Sequence, residues 1–153
     1  INPDLKIVFT VSPIRNWKDG AHNNQLSKAT LLLAIDELVN KFPNLYYFPS
    51  YEIVLDELRD YRFYSEDMIH PNDIAIRYIW EIFNDTYFEE ETKKLCGQWQ
   101  NIARAIAHRP FNEDTEEHKQ FLKQTLLKLQ SIRNNYPYFD CENELLLLES
   151  KLS

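Results

Sequence analysis

Two short apolar runs bracket a helix-length periodic segment near the start of the chain, and nothing else in the sequence constrains the fold as tightly. Leu5-Lys6-Ile7-Val8-Phe9-Thr10-Val11 is β-branched and mostly apolar, the pattern of a strand buried on both faces. Ser12-Pro13 ends it, because proline cannot donate to a sheet ladder. The polar stretch from Ile14 to Gln25 reads as a loop. Ser27 to Lys41 reads as a helix, with Ser27 as N-cap and Leu31, Leu32, Ile35, Leu38 and Val39 at helical spacing. Pro43-Asn44 stops that helix, and Leu45-Tyr46-Tyr47-Phe48 forms a second strand closed by Pro49. Strand, helix, strand over this distance is a βαβ unit, which implies parallel strands joined by a right-handed crossover. Two strands do not make a stable sheet. More sheet is therefore expected from elsewhere, either from polypeptide preceding these residues or from a second copy in a homo-oligomer.

Beyond the second strand the pattern turns helical. Tyr51 to Tyr64 mixes a short helix with loop, and Asn72 is placed to cap a helix running to about Phe88, with Ile76, Ile79, Trp80, Phe83 and Tyr87 as its apolar stripe. No strand signal follows Glu89. Glu90 to His108 carries Leu95, Trp99, Ile102 and Ile106 on one side. Asp114 or Thr115 caps a longer helix to about Asn134, bearing Phe121, Leu122, Leu126, Leu129 and Ile132, and Cys141 to Leu152 forms the last helix. The expected division is an α/β part over 1–88 and a helical appendix over 89–153.

Composition removes several function classes. Only Gly20 and Gly97 are present, so neither a phosphate-cradling loop nor a dinucleotide fingerprint can be written. The net charge of −7 comes with no basic cluster, which argues against nucleic acid or an anionic membrane as partner. No apolar run reaches the ~18 residues of a membrane span, and no stretch has the pattern of a secretory signal. Cys96 and Cys141 are too few for a disulfide framework, so the expectation is a reducing, cytoplasmic setting. No His-Glu-x-x-His or paired Cys-x-x-Cys spacing occurs, so neither metal nor cofactor is expected.

Two of the four histidines follow an aspartate by three residues: Asp19-Gly20-Ala21-His22 and Asp67-Met68-Ile69-His70. An aspartate at that spacing on a loop reaches the imidazole Nδ1–H, sets the tautomer and leaves Nε2 to take a serine proton. With ten aspartates and four histidines, one such pair arises in about a quarter of shuffled sequences, so position must discriminate. Asp67–His70 lies beyond the second strand and before the Asn72 helix, at the carboxyl edge where open α/β sheets place their sites. The plainer alternative is that the two residues shape the turn into that helix. Asp19–His22 also follows a strand, but Gly20 and Asn23-Asn24 are turn chemistry, and a structural role is favoured there.

Longer strings carry a resemblance. Val11-Ser-Pro-Ile-Arg15 with Asp19-Gly20, Leu26-Ser-Lys-Ala-Thr-Leu-Leu-Leu33, Tyr47-Phe-Pro-Ser-Tyr-Glu-Ile53, Asp56-Glu-Leu-Arg-Asp-Tyr-Arg-Phe-Tyr64 and Asp67-Met-Ile-His-Pro71 resemble the GSCFA family. So do Asn101 to Phe111 and Tyr136-Pro-Tyr-Phe139 in the appendix. The family belongs among the SGNH/GDSL-like hydrolases, whose fold is an α/β/α sandwich. The resemblance implies that this chain is the C-terminal part of such a three-layer sandwich with a parallel sheet, followed by an α-helical appendix. It also implies that Asp67 and His70 are the acid and base of a serine esterase. The Gly-Ser-Cys-Phe-Ala motif that names the family, expected to carry the nucleophile, is not in the sequence. None of the seven serines has a neighbouring glycine or matches that motif. One local departure stands out, since histidine is expected after Ser-Pro-x-Arg and Asn16 stands there.

The resulting expectation is an ester hydrolase or acyl transferase acting on a small-molecule or carbohydrate ester, with His70 as base, Asp67 as its orienting acid and the serine supplied by an N-terminal part. Arg15, at the end of the first strand, is the candidate to bind a carboxylate or sugar group bidentately; the alternative for it is a surface ion pair with Asp19. Arg59 and Arg62, among Asp56, Glu57 and Asp60, read as a solvated or ion-paired helix face. Core packing is the favoured role of Tyr46, Tyr47, Phe48, Tyr61, Phe63 and Tyr64, over lining a carbohydrate cleft. A different class of function, a non-catalytic interaction module, would present the Leu95, Trp99, Ile102, Ile106 stripe to a partner. On the enzyme expectation that stripe packs on the α/β part.

Overall fold

The computed structural model describes residues 2, 4–112 and 115–152, without the Asp19 side chain. The chain divides into two compact units, Ile1–Tyr87 and Phe88–Ser153.

In the first unit β1 (Ile7–Phe9) and β2 (Leu45–Tyr47) pair in parallel, with Val8 opposite Tyr46. The ladder is continued by Phe48 N–H donating to Phe9 O at 2.8 Å. Helix α1 (Gly20–Lys41) connects the strands and lies against β2, completing the βαβ unit. Ile7 and Val8 remain 36% and 37% exposed, so the expectation of a strand buried on both faces fails. Among the described residues β1 pairs only with β2, which leaves its other edge and part of its surface uncovered. The described residues form one βαβ unit with added helices, and a three-layer sandwich does not form within them.

Helix α1 begins seven residues ahead of the Ser27 cap that the sequence suggests, and Ser27 is an exposed interior residue. The polar segment misleads because its amides are used in helix-compatible ways. Asn24 is buried and accepts from Asn16 N–H at 3.0 Å, and Gln25 accepts from the Tyr51 hydroxyl at 2.6 Å. A 3-10 turn at Trp17–Asp19 precedes the helix, capped by the Asn16 side chain accepting from Lys18 N–H. Gly20 joins turn to helix at φ 77 and ψ 163, a conformation that is essentially glycine's alone. Asn16, the departure from the family string, thus serves as a local cap.

After β2 the chain makes α2 (Ser50–Glu52), a π-helical turn at Ile53–Glu57 and a 3-10 turn at Tyr61–Phe63. Helix α3 (Asp73–Tyr87) follows, capped by Asn72 as its sequence suggests; the Asn72 Oδ1 accepts from Ile74 and Ala75 N–H, both at 3.1 Å. The core of this unit gathers Phe48, Ile53, Val54, Leu58 and Ala75, with Ile79, Phe83 and Tyr87 of α3 packed on it. Phe48 meets Phe83 edge-to-face at 5.0 Å, and burying a ring of that size stabilises by about 2–3 kcal/mol. Phe63 and Tyr64 also pack on the core, while Tyr46 and Tyr61 are exposed. Arg62 pairs with Asp60 at 3.6 Å, as an ion-paired face requires.

The second unit comprises α4 (Glu90–Ala107), α5 (Glu116–Asn135) and α6 (Glu142–Leu152). Thr115 caps α5 by accepting from His118 N–H; Asp114, the other candidate cap, lies outside the described residues. Leu95 and Ile102 of α4, Leu122, Leu129 and Ile132 of α5, and Leu145 and Leu148 of α6 form one buried cluster, with Trp99 and Ile106 packed against it. The α4 stripe therefore packs within its own helical unit. It does not have to find cover on the α/β part or on a partner, because α5 and α6 supply enough apolar surface. Among the described residues, no helix is long and apolar enough to cross a membrane.

Candidate active site

The loop from Tyr61 to Asn72 returns the chain from one end of the sheet to the start of α3, and local bonds hold its ends together. Tyr64 and Pro71 form an antiparallel bridge, Ser65 N–H donates to His70 O at 2.8 Å, and Asn72 N–H donates to Phe63 O at 2.9 Å. The Asn72 side-chain amide adds a bond to Arg62 O at 2.7 Å. Asp67 and His70 sit at the tip of this closed loop.

Their geometry is fully specified within four residues. Asp67 Oδ1 accepts from Ile69 N–H and His70 N–H, both at 2.9 Å, and its Oδ2 faces His70 Nδ1 at 2.5 Å. An ionised carboxylate only accepts, so Nδ1 is the donor in this contact, and in the neutral imidazole the lone pair then lies on Nε2. Backbone donation from His70, then the imidazole contact, then Ile69 N–H hold the Asp67 carboxyl down at about 2. Closing so short a turn forces Met68 to φ 60, the sole positive φ among the described non-glycine residues. Side chains other than glycine, asparagine and aspartate seldom adopt that region, so the loop holds backbone strain next to the pair.

His70 lines a groove of about 700 Å³ together with Val8, Thr10, Phe48, Ser50, Ile76 and Trp80. The wall is largely apolar, and Ile76 and Trp80 turn from the α3 stripe toward it, at 55% and 38% exposure. Thr10 and Phe48 directly follow the carboxyl ends of the two parallel strands, with Ser50 opening α2 just beyond, the edge where α/β sheets place ligands. Among the described residues His70 Nε2 has no hydrogen-bond partner. The arrangement suits proton abstraction from a group entering an apolar groove.

A polar pair that no motif in the sequence marks also lines the groove. The Thr10 and Ser50 hydroxyls lie 2.5 Å apart, and Ser50 donates to Val11 O at 3.0 Å. Their place just beyond the two strands was the available signal. Arg15 is not brought to His70. It lines a separate cavity of about 200 Å³, with its guanidinium 5.9 Å from the Trp17 ring; the two cavities share Pro13. Of the second Asp-x-x-His, His22 is exposed in the first turn of α1, and the Asp19 side chain lies outside the described residues. His108 and His118 flank the Phe121 ring in the helical unit. Among the described residues no three His, Cys, Asp or Glu side chains are grouped to hold a metal ion.

A parallel βαβ unit with an Asp–His pair beside the strands' carboxyl ends places the first unit in the α/β class. Residues 1–83 match the family model described as GSCFA family, and residues 99–153 match that of the GSCFA domain protein, C-terminal domain. The first match spans more than half of the chain, and the chain belongs to the GSCFA family. No curated protein and no solved structure matches it.

Proposed function

We propose that this chain carries the acid–base half of an SGNH/GDSL-type serine ester hydrolase or acyl transferase. Its first unit is then the C-terminal part of an α/β/α sandwich. The observation that supports this most is the short Asp67 Oδ2 to His70 Nδ1 contact, on a strained loop whose His70 lines an apolar groove. The nucleophilic serine comes from an associated N-terminal part of the protein, because no serine here sits in a glycine-flanked nucleophile string.

In this mechanism Nε2 takes the serine proton as Oγ attacks an acyl carbonyl seated in the groove. Asp67 stabilises the imidazolium that forms and is not itself protonated. The imidazolium then returns the proton to the departing alkoxide, leaving an acyl-serine. Water or another hydroxyl, deprotonated by Nε2, resolves that ester and regenerates the serine. An O-acylated carbohydrate is the substrate class proposed, and neither metal nor cofactor takes part.

The test is covalent labelling of the full-length protein with a fluorophosphonate probe. Labelling should vanish in His70→Ala and fall by about 10⁴ in rate in Asp67→Asn, which leaves the imidazole without an anion to fix its tautomer. A folded full-length protein that takes no label, or a His70→Ala variant labelled as fast as wild type, rejects the proposal.

A further inference from the structure

The cavity that holds Arg15 is built differently from the groove at His70, and its chemistry points to a ligand of its own. Its floor is the first turn of α1, which contains no acidic residue. Asn24 there is 6% exposed and uses its oxygen on Asn16 N–H at 3.0 Å. Its NH₂ group has no acceptor among the described residues, although it lines the cavity. Because Asn24 lines the cavity, that NH₂ group is open to an acceptor that enters it.

Three further features point the same way. Gln25 accepts from the Tyr51 hydroxyl at 2.6 Å, so its oxygen is occupied and its NH₂ remains available to the cavity. Arg15 pairs with no carboxylate among the described residues, and the Trp17 ring lies 5.9 Å from its guanidinium carbon. That ring limits where the guanidinium fork can point. The dipole of α1, a helix of 22 residues, adds partial positive charge at the same turn. In a chain of net charge −7, the described residues of this cavity supply one formal positive charge, several donors and no carboxylate.

We propose that this cavity binds the carboxylate of a small organic acid or acidic sugar, with Arg15 gripping it bidentately and the Asn24 and Gln25 amides donating to its oxygens. One formal charge matches a monoanion better than a phosphate dianion, and a planar fork beside an indole matches a planar carboxylate. The site is separate from the His70 groove and does not depend on the acyl chemistry proposed for it.

The experiment is a titration of the ¹⁵N-labelled 153-residue chain with glucuronate, acetate, inorganic phosphate or glucose, read at the Asn24 and Gln25 side-chain amides. Glucuronate and acetate should give saturable shifts at both amides, phosphate weaker ones and glucose none. Arg15→Gln should weaken glucuronate binding at least about tenfold, the loss of one charge-assisted bond pair. Asn24→Asp keeps the oxygen that Asn16 needs, replaces the free NH₂ by a negative oxygen, and should abolish binding. Unchanged α1 backbone resonances establish that each variant folds, and if Asn24→Asp does not fold, Arg15→Gln decides alone. The proposal fails if no carboxylate gives a saturable shift, if glucose or phosphate binds as well as glucuronate, or if Arg15→Gln binds unchanged.

Discussion

Asn72 links the candidate site to the stability of its unit, and removing its side chain should weaken both. The Oδ1 atom caps α3 by accepting from Ile74 and Ala75 N–H at 3.1 Å, and the amide nitrogen donates to Arg62 O at 2.7 Å. Loss of an N-cap costs about 1 kcal/mol, and loss of a neutral hydrogen bond about another 1. Asn72→Ala should therefore destabilise the first unit by about 2 kcal/mol. Asn72→Asp keeps the cap and places its charge favourably at a helix N-terminus, but it loses the amide bond to Arg62 O and the longer one to Tyr64 O at 3.5 Å, so its cost should be about 1 kcal/mol, below that of Asn72→Ala. Urea unfolding of the whole chain, followed through the amide resonances of α3, reads the first unit separately from the helical one. A loss below 0.5 kcal/mol in Asn72→Ala, or equal losses in the two variants, would refute the assignment of both bonds. Asn72→Ala should also raise hydrogen exchange at the Ile69 and His70 amides, because the clamp on the loop's closing end is gone.

Further predictions concern the loop and the cores. Met68 at φ 60 predicts that Met68→Asn stabilises slightly, while β-branched Met68→Val destabilises by about 1–2 kcal/mol, measured by the same unfolding. Gly20→Ala should cost about 1–3 kcal/mol through backbone strain alone, since a Cβ there meets nothing within 4 Å; no loss would show that the conformation is not held. Asp67 is lowered from its ordinary 3.8 to about 2, so its contribution is complete above pH ~4 and disappears as pH falls toward ~2. A ¹³C carboxyl titration of Asp67 with its midpoint near 4 would contradict the two backbone bonds and the imidazole contact. Leu129→Ala, at a position with no exposed surface, should destabilise the helical unit by about 2–5 kcal/mol, seen as an earlier transition of the α5 resonances.

Much of this architecture was legible because its signals are local. Pro13, Pro43 and Pro49 mark element ends, and Asn72 caps where a helix must begin. The stripes of α4 and α5 name the residues that become the second unit's core. Legibility failed where a tertiary partner decides. Asn23-Asn24-Gln25 has the composition of a turn, and only Asn16 and Tyr51 make it helical by bonding its amides. Leu5 to Val11 has the composition of a central strand, yet its burial depends on neighbours that the sequence pattern cannot supply. At the candidate site, the Asp67–His70 spacing implies the contact between the two side chains that is found, because both residues lie on one turn. The position of Arg15 after β1 suggests the same site, but Arg15 lines another cavity together with Trp17 and the first turns of α1.

The bonds that shape the Asp67–His70 loop join residues close in sequence, from Arg62 to Ala75. Contacts of such short range form early and quickly, since little chain entropy is lost in closing them. The imidazole's orientation is therefore independent of when, or whether, the rest of a sheet assembles around β1. An Asp–His pair built in this way can be inherited as a cassette. Its loop can sit beside different neighbouring strands without changing the contact between the Asp67 carboxylate and the His70 ring.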